Sequence, residues 1–325
     1  MQYRILGKTG LKVSAVGFGG IPIQRIDARG TRALMERLVE KGVNYIDTAR
    51  GYTVSESYLG EALSGGLREK FILATKSMSR GYADMARDIG ISLSNLRTDY
   101  IDLYQLHNIK SDADFELAFS AEGAVAAIQD AIRAGKVGHL GATAHSVDSF
   151  ERLLSYPEIE TIMFPYNIVE SQGEALMERA AAQNVGVIAM KPLAGGNITD
   201  GTLAMRYILQ NKTCTLAIPG MATLEEIEQN TAAAEQDGPL TPEELAACEA
   251  IRAGLSGNFC RRCGYCAPCT VGIDIPGIWK TISSITIWRT GPDRATSLRR
   301  QGRGTASAAV SARSAALTSC PSVKS

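Results

Sequence analysis

The chain lacks the features that would carry it into or across a membrane. Its first ten residues, MQYRILGKTG, have no charged stretch followed by an apolar run, which argues against a secretory signal. No stretch approaches the apolar length needed to cross a bilayer. These absences predict a cytoplasmic, reducing setting, where clustered cysteines are more often metal ligands or redox groups than disulfides. Net charge is also missing, since 34 Lys and Arg balance 34 Asp and Glu over 325 residues. The balance hides an asymmetry: after Gly277 there are eight basic residues against one acid. No aromatic residue interrupts the arginines between positions 294 and 303, so the pattern of a nucleic-acid arm is absent. Neither nucleic acid nor a membrane is an expected partner. Also absent is a G-x-G-x-x-G after the first candidate strand; GFGGIP comes near, but no apolar-periodic helix start follows it.

What is present is a globular composition, 45% hydrophobic and 21% charged, long enough for one large barrel or two ordinary domains. Eight short apolar runs recur: VSAVGFGG, VNYIDTA, KFILATKS, YIDLYQLH, VGHLGATA, IETIMFPYN, VGVIAMKPL and TLAIPGMA. Between them lie stretches such as TRALMERLVEKG, SESYLGEAL, AVAAIQDAIRAG and VDSFERLLSY, with apolar residues at three- and four-residue spacing. Strand alternating with helix eight times predicts an α/β fold, a (β/α)8 TIM barrel, with an open doubly wound sheet as the alternative. The expected organisation is a barrel over residues 1–240, a helix and cysteine-rich extension over 241–287, and a poorly packed tail over 288–325.

In such a barrel the chemistry gathers where strands end. Asp47 ends VNYID, Lys76 ends FILATK, His107 ends DLYQLH, and Tyr52 follows the second run. Lys pairs with Asp, and a cation beside a phenol favours the phenolate. Tyr52 could then give a proton to a carbonyl oxygen that His107 orients. Any one of these residues at a strand end is ordinarily structural; four at four converging positions point to chemistry. His145 ends the fifth run and could face the same cleft.

DTARGY, ILATKS and DLYQLHN resemble the aldo-keto reductases, and the resemblance extends from RILGKTGLKVSAVGFGG through GVIAMKPLAGG to AIPGMATLEEIEQN. It implies a barrel that binds a nicotinamide without a Rossmann fold and reduces aldehydes or ketones through Asp47, Tyr52, Lys76 and His107. It also implies cofactor contacts: Thr143 and Asn167 at the carboxamide or fixing the backbone there, and Lys191, Leu193, Gly195 and Gly196 along the diphosphate. At the adenosine end, Gly220-Met221, Glu226 and Gln229-Asn230 stand where the family carries a Lys-Ser pair, an Arg and a Glu-Asn pair. Losing those cations weakens the case for a 2′-phosphate, and an acid there suits a ribose hydroxyl, so NADPH and NADH both remain open. Met163 and Met190 replace a Gln and a stacking aromatic ring.

Cys260, Cys263, Cys266 and Cys269 stand at three-residue steps, while Cys214, Cys248 and Cys320 lie apart. C-x2-C-x2-C is the local spacing that wraps three irons of a [4Fe–4S] cluster, with zinc as the alternative. The run resembles a ferredoxin-like segment on one branch of the family, except that Thr270 replaces a proline and the second cysteine motif is missing. Beyond about residue 288 the chain is rich in Ala, Ser and Arg, which predicts disorder. With GC-rich codons, TSCPSVK read two bases later gives Gln-Leu-Pro-Val-Arg-Gln, resembling the family's sequence there; a frameshift is the expectation that follows.

The reading is thus a reductase acting on a small carbonyl compound, with a cluster segment that could serve an electron-transfer partner. Two other classes stay open: a Schiff-base aldolase using Lys76, and a non-catalytic nicotinamide-binding redox sensor.

Overall fold

The computed structural model describes residues 1–236 and 238–255, together with Ile273 and Ile278. Met1–Ala253 forms one compact unit. A short antiparallel hairpin, β1 (Tyr3–Ile5) and β2 (Lys12–Ser14), precedes eight parallel strands. These are β3 (Phe18–Gly19), β4 (Tyr45–Asp47), β5 (Ile72–Ser77), β6 (Ile101–Leu106), β7 (Val137–Thr143), β8 (Thr161–Pro165), β9 (Gly186–Met190) and β10 (Leu216–Ala217). Each strand neighbours the next in sequence. Parallel bridges Val16↔Ala217 and Gly19↔Gly220 join the first strand to the last and close the barrel.

The helices between strands are α1 (Ala28–Glu40), α2 (Ser55–Ala62), α3 (Tyr82–Leu96), α4 (Asp112–Ala118), α5 (Ala124–Arg133), α6 (Val147–Leu153), α7 (Glu174–Ala182) and α8 (Gly201–Gln210); α9 (Leu224–Ala232) and α10 (Pro242–Leu255) follow β10. Their sequences explain both start and face. In α1 the Asp27 carboxylate caps Gly30 N–H, and Thr31, Leu34, Met35 and Leu38 form the buried stripe. In α5, alanines and Ile128 at helical spacing let the helix lie close to the sheet. Arg206 on α8 pairs with Glu244 of α10, and Arg252 Nε donates to Ile168 O at 2.8 Å.

The first run, VSAVGFGG, is not one strand. Val13 and Ser14 pair with β1, whereas the barrel takes up the later part of the run, Val16 bridging Ala217 and Phe18-Gly19 pairing with β4. The break is made by side chains: Asn44 Oδ1 accepts from Ser14 N at 2.7 Å, and Ser14 Oγ donates to Val16 O at 2.7 Å. The hairpin plugs the barrel floor with Leu6 and Val13. There Gly7, at φ +53, lies so near β9 that an added Cβ would sit 2.2 Å from Gly186 N.

Strand alternation divides two cores. Tyr45, Ala74, Leu103, Met163, Ile188 and Leu216 fill the barrel, whereas Ile46, Leu73, Tyr104, Ile162 and Val187 face the helices. Counting in twos from the interior set places Asp47, Lys76 and Gln105 inward, above the apolar floor.

Candidate active site

Asp47 and Lys76 are 2% and 1% exposed at the ends of adjacent strands. The Lys76 ammonium donates to the Asp47 carboxylate and, at 2.7 Å, to Thr48 O. Its Nζ also lies 4.8 Å from the centre of the Tyr52 ring, within interacting range of the hydroxyl. Burial alone would lower the Lys76 pKa, but the Asp47 carboxylate and Tyr52 outweigh it and hold Lys76 above its ordinary value. Its proton is therefore not the one that leaves at neutral pH.

Tyr52 reaches this pair from a tight loop. Tyr52 N–H donates to Ala49 O at 3.0 Å and Ser55 N–H to Tyr52 O at 2.8 Å. Its ring meets His107 edge-on, with centroids 5.9 Å apart. His107 follows β6 and is pinned by its own N–H to Ser77 O at 2.9 Å. Burial first, then Lys76, His145 and Arg80, push the His107 imidazole down to about 3. At neutral pH it is an uncharged ring that can donate one hydrogen bond. The four residues singled out in sequence thus meet at one mouth.

Three supports were not anticipated. Gln105 Nε2 donates to Asp47 Oδ1 at 3.1 Å, leaving Gln105 Oε1 buried without a partner. Its inward phase in DLYQLH, two residues before His107, was the available signal. Arg80 donates to the carbonyls of His107 and Asn108 at 2.8 and 3.1 Å and so fixes the His107 loop. Behind the Tyr52 loop, Glu56, 2% exposed, accepts from Arg50, Thr75 and Ser92 at 2.8 Å each and from Asn95 at 3.2 Å.

The residues expected at a cofactor all lie at the C-terminal ends of β7 to β10 or in the elements that follow them. Thr143 Oγ1 accepts from Asn108 N at 2.7 Å. The Asn167 amide is spent on its own loop and the one after β9: Nδ2 donates to Glu170 Oε2 and Lys191 O, while Oδ1 accepts from Val169 N and Glu170 N. Asn167 therefore fixes backbone instead of reaching outward. Lys191, at φ +55, follows β9, and the turn after Leu193 is left-handed at Ala194, Gly195 and Gly196. Both glycines have open space where a Cβ would be. Glu226 is tied into a capping box, its Oε2 accepting from Ala222 N and Thr223 N at 2.6 and 3.2 Å. That use of Glu226 was not foreseen, and it directs one carboxylate oxygen at its own helix start. Gln229 and Asn230 gather at the start of α8, where a Cβ on Gly201 would stand 2.5 Å from Asn230 Oδ1, itself buried without a partner. Gly220 pairs with Gly19 across the closing seam.

The Aldo/keto reductase family model matches residues 15–202. The chain belongs to the aldo/keto reductase family. This oxidoreductase is 28% identical to L-galactose dehydrogenase of Arabidopsis thaliana over 77% of this chain and 94% of that protein. It is similar to an aldo-keto reductase from Bacillus halodurans in its holo form, with 26% identity, a TM-score of 0.68, and coverage of 77% of this chain and 96% of the other. An aldo-keto reductase structure from Pseudomonas aeruginosa shares 30% identity over 72% of this chain and 95% of its own, with a TM-score of 0.64. The family's small-molecule carbonyl chemistry fits a mouth with an ammonium, a phenol and a neutral imidazole.

Among the described residues no group of three or more His, Cys, Asp and Glu is placed to hold a metal ion. Cys260, Cys263, Cys266 and Cys269, expected as cluster ligands, and the segment 288–325 lie outside the described residues. Among the described residues no helix is long and apolar enough to cross a membrane.

Proposed function

We propose that this reductase uses NADPH or NADH to reduce an aldehyde or ketone, with Tyr52 as the general acid. The observation that carries the reading is the buried Lys76 ammonium, shared between Asp47 and Tyr52 with His107 edge-on to the same ring. Asp47 holds Lys76 in place and charged. Lys76 in turn stabilises the negative charge left on Tyr52 when its proton goes to the carbonyl oxygen. Neutral His107 donates to that oxygen and sets the direction of the carbonyl.

The chain's residues fit a nicotinamide dinucleotide. The open space at Gly195 and Gly196, in a left-handed turn flanked by Lys191 and Leu193, lets a diphosphate come close to the backbone there. Thr143 and Asn167 shape the nicotinamide end. Asn230 keeps a buried, unpartnered Oδ1 beside the start of α8, and with Gly220, Glu226 and Gln229 it forms the adenosine end. The bound nicotinamide supplies the hydride. No cation stands at Gly220, Met221 or Glu226, which weighs toward NADH while leaving both forms within the reading. A cytoplasmic setting accompanies it.

On its spacing alone, the run Cys260, Cys263, Cys266 and Cys269 is assigned to [4Fe–4S] ligation and to a possible role with an electron-transfer partner. Iron and sulfide content after anaerobic purification tests that assignment; fewer than one cluster's worth in most chains overturns it. The reductase reading is tested by binding of NADH and NADPH, followed by a carbonyl panel. Tyr52→Phe is expected to keep nicotinamide affinity while kcat falls by about 10²–10⁴. Undiminished turnover in that variant would remove Tyr52 from the mechanism.

A further inference from the structure

Helix α10 stands outside the alternation of strands and helices, yet its last turn reaches the loop that follows β8. Every edge of the Arg252 guanidinium is used there. Nε donates to Ile168 O at 2.8 Å, Nη2 donates to the Tyr207 hydroxyl at 2.9 Å, and Nη1 pairs with Glu249 one turn earlier on the same helix. Its Cζ also lies 5.2 Å from the centre of the Tyr207 ring.

Ile168, fully buried, belongs to a closed four-residue loop. Asn167 and Glu170 exchange backbone hydrogen bonds at 3.1 Å each, and Asn167 Oδ1 accepts from Val169 N and Glu170 N inside the loop. One bond leaves it toward the end of β9: Asn167 Nδ2 donates to Lys191 O at 3.0 Å. The same Lys191 O accepts from Ala194 N at 2.9 Å. Three hydrogen bonds and one short loop thus connect α10 to the turn 191–196.

That turn is strained. Lys191 and Ala194 are left-handed at φ +55 and +47, and Gly195 and Gly196 continue the run. A residue with a Cβ costs free energy in that region and stays there only where its surroundings over-determine it. Asn167 Nδ2 is one such restraint, and it is as firm as the loop that carries it. A guanidinium donor to a carbonyl of that loop is a charge-assisted bond, roughly twice as strong as a neutral one.

We propose that Arg252 is a positioning residue for the nicotinamide cofactor: through Ile168 and Asn167 it holds the turn 191–196 in the shape that receives the diphosphate. The proposal rests on the reductase reading above. Arg252 takes no part in proton or hydride transfer. A purely structural role would be to dock α10, but the helix has a second attachment at its other end, Glu244 to Arg206. The two attachments can be cut separately.

The test is equilibrium binding of NADH and NADPH to the full chain, read by fluorescence titration. Arg252→Met keeps the packing over Tyr207 and leaves Glu244 to hold the helix; it is expected to raise Kd about tenfold for the nicotinamide that wild type binds. Arg252→Lys, which keeps a charged donor, should recover part of that loss. Glu244→Gln should leave Kd unchanged. Asn167→Ala should raise Kd as well, and combined with Arg252→Met it should give less than the product of the two single effects, because both act along one path. An unchanged Kd in Arg252→Met, an equal rise in Glu244→Gln, or single effects that multiply in full would each overturn the assignment and leave the reductase reading intact. Wild-type protein that binds neither nicotinamide removes that reading, and the role of Arg252 with it.

Discussion

Thr75 and Lys76 are neighbours on β5 and lead to two different buried charge systems. Lys76 points into the barrel to Asp47; Thr75 points outward and donates to Glu56, which also holds Arg50. The two systems share the Arg50 N–H to Lys76 O hydrogen bond, at 3.0 Å, yet they are satisfied very differently. Outside, the Glu56 carboxylate has four donors, and the one orphan nearby is Arg50 Nε, 3.9 Å from Asp88 Oδ1. Inside, Gln105 Oε1, His107 Nδ1 and His145 Nδ1 are all buried without partners. A saturated buried charge stabilises a loop, and here it anchors the segment that carries Tyr52. A buried charge among unsatisfied neighbours gains little stability, since an apolar pair of similar volume often does as well or better.

That contrast can be broken by removing each system in turn. Asp47→Asn with Lys76→Met is expected to abolish carbonyl-dependent nicotinamide oxidation while urea unfolding shows no loss of stability. Glu56→Ala should instead cost about 3 kcal/mol, the lower end for breaking a buried pair because Arg50 is 24% exposed. If the inner double variant loses as much stability as Glu56→Ala, the distinction between the two systems fails.

A smaller effect comes from the unsatisfied side. In the native state His107 is pushed down to about 3, by burial and by Lys76, His145 and Arg80, and His145 to about 4, by burial and by Lys191. An unfolded chain holds both near about 6.5. As pH falls below that value the unfolded chain takes up protons first, so stability drops until the native values are reached, and it is flat above about 6.5. Each ring contributes a slope of up to about 1.4 kcal/mol per pH unit. Urea midpoints between pH 7 and pH 5 should therefore fall more steeply for wild type than for His107→Gln with His145→Gln. Smallest is the cap of α9: Thr223→Ala should cost about 1 kcal/mol in the same assay, with a proportionate loss of order at Gln229 and Asn230.

Much of this was legible from the sequence. All eight apolar runs contribute strands to the barrel, and alternation is enough to put Asp47 and Lys76 on one face, because a strand repeats every two residues. The first run misled because its break depends on Asn44, thirty residues beyond Ser14, accepting that residue's N–H. Local patterning carries no trace of such a partner. Glu56 was passed over for a similar reason: on α2 it reads as an ordinary first-turn acid, and only the approach of β5 and α3 turns it into a buried hub. Asn167 and Glu226 could be placed at the mouth by resemblance, but not assigned their hydrogen bonds.

The sequence by itself determined the strand and helix alternation, the apolar stripes, and the residue types available at each strand end. These follow from side-chain period and from the chemistry of single residues. Only the tertiary structure decided which polar atoms find partners and which are left without, because satisfaction depends on what distant segments bring within about 3 Å. On this chain that difference separates the charges that hold the Tyr52 loop from the unpartnered groups at the barrel mouth.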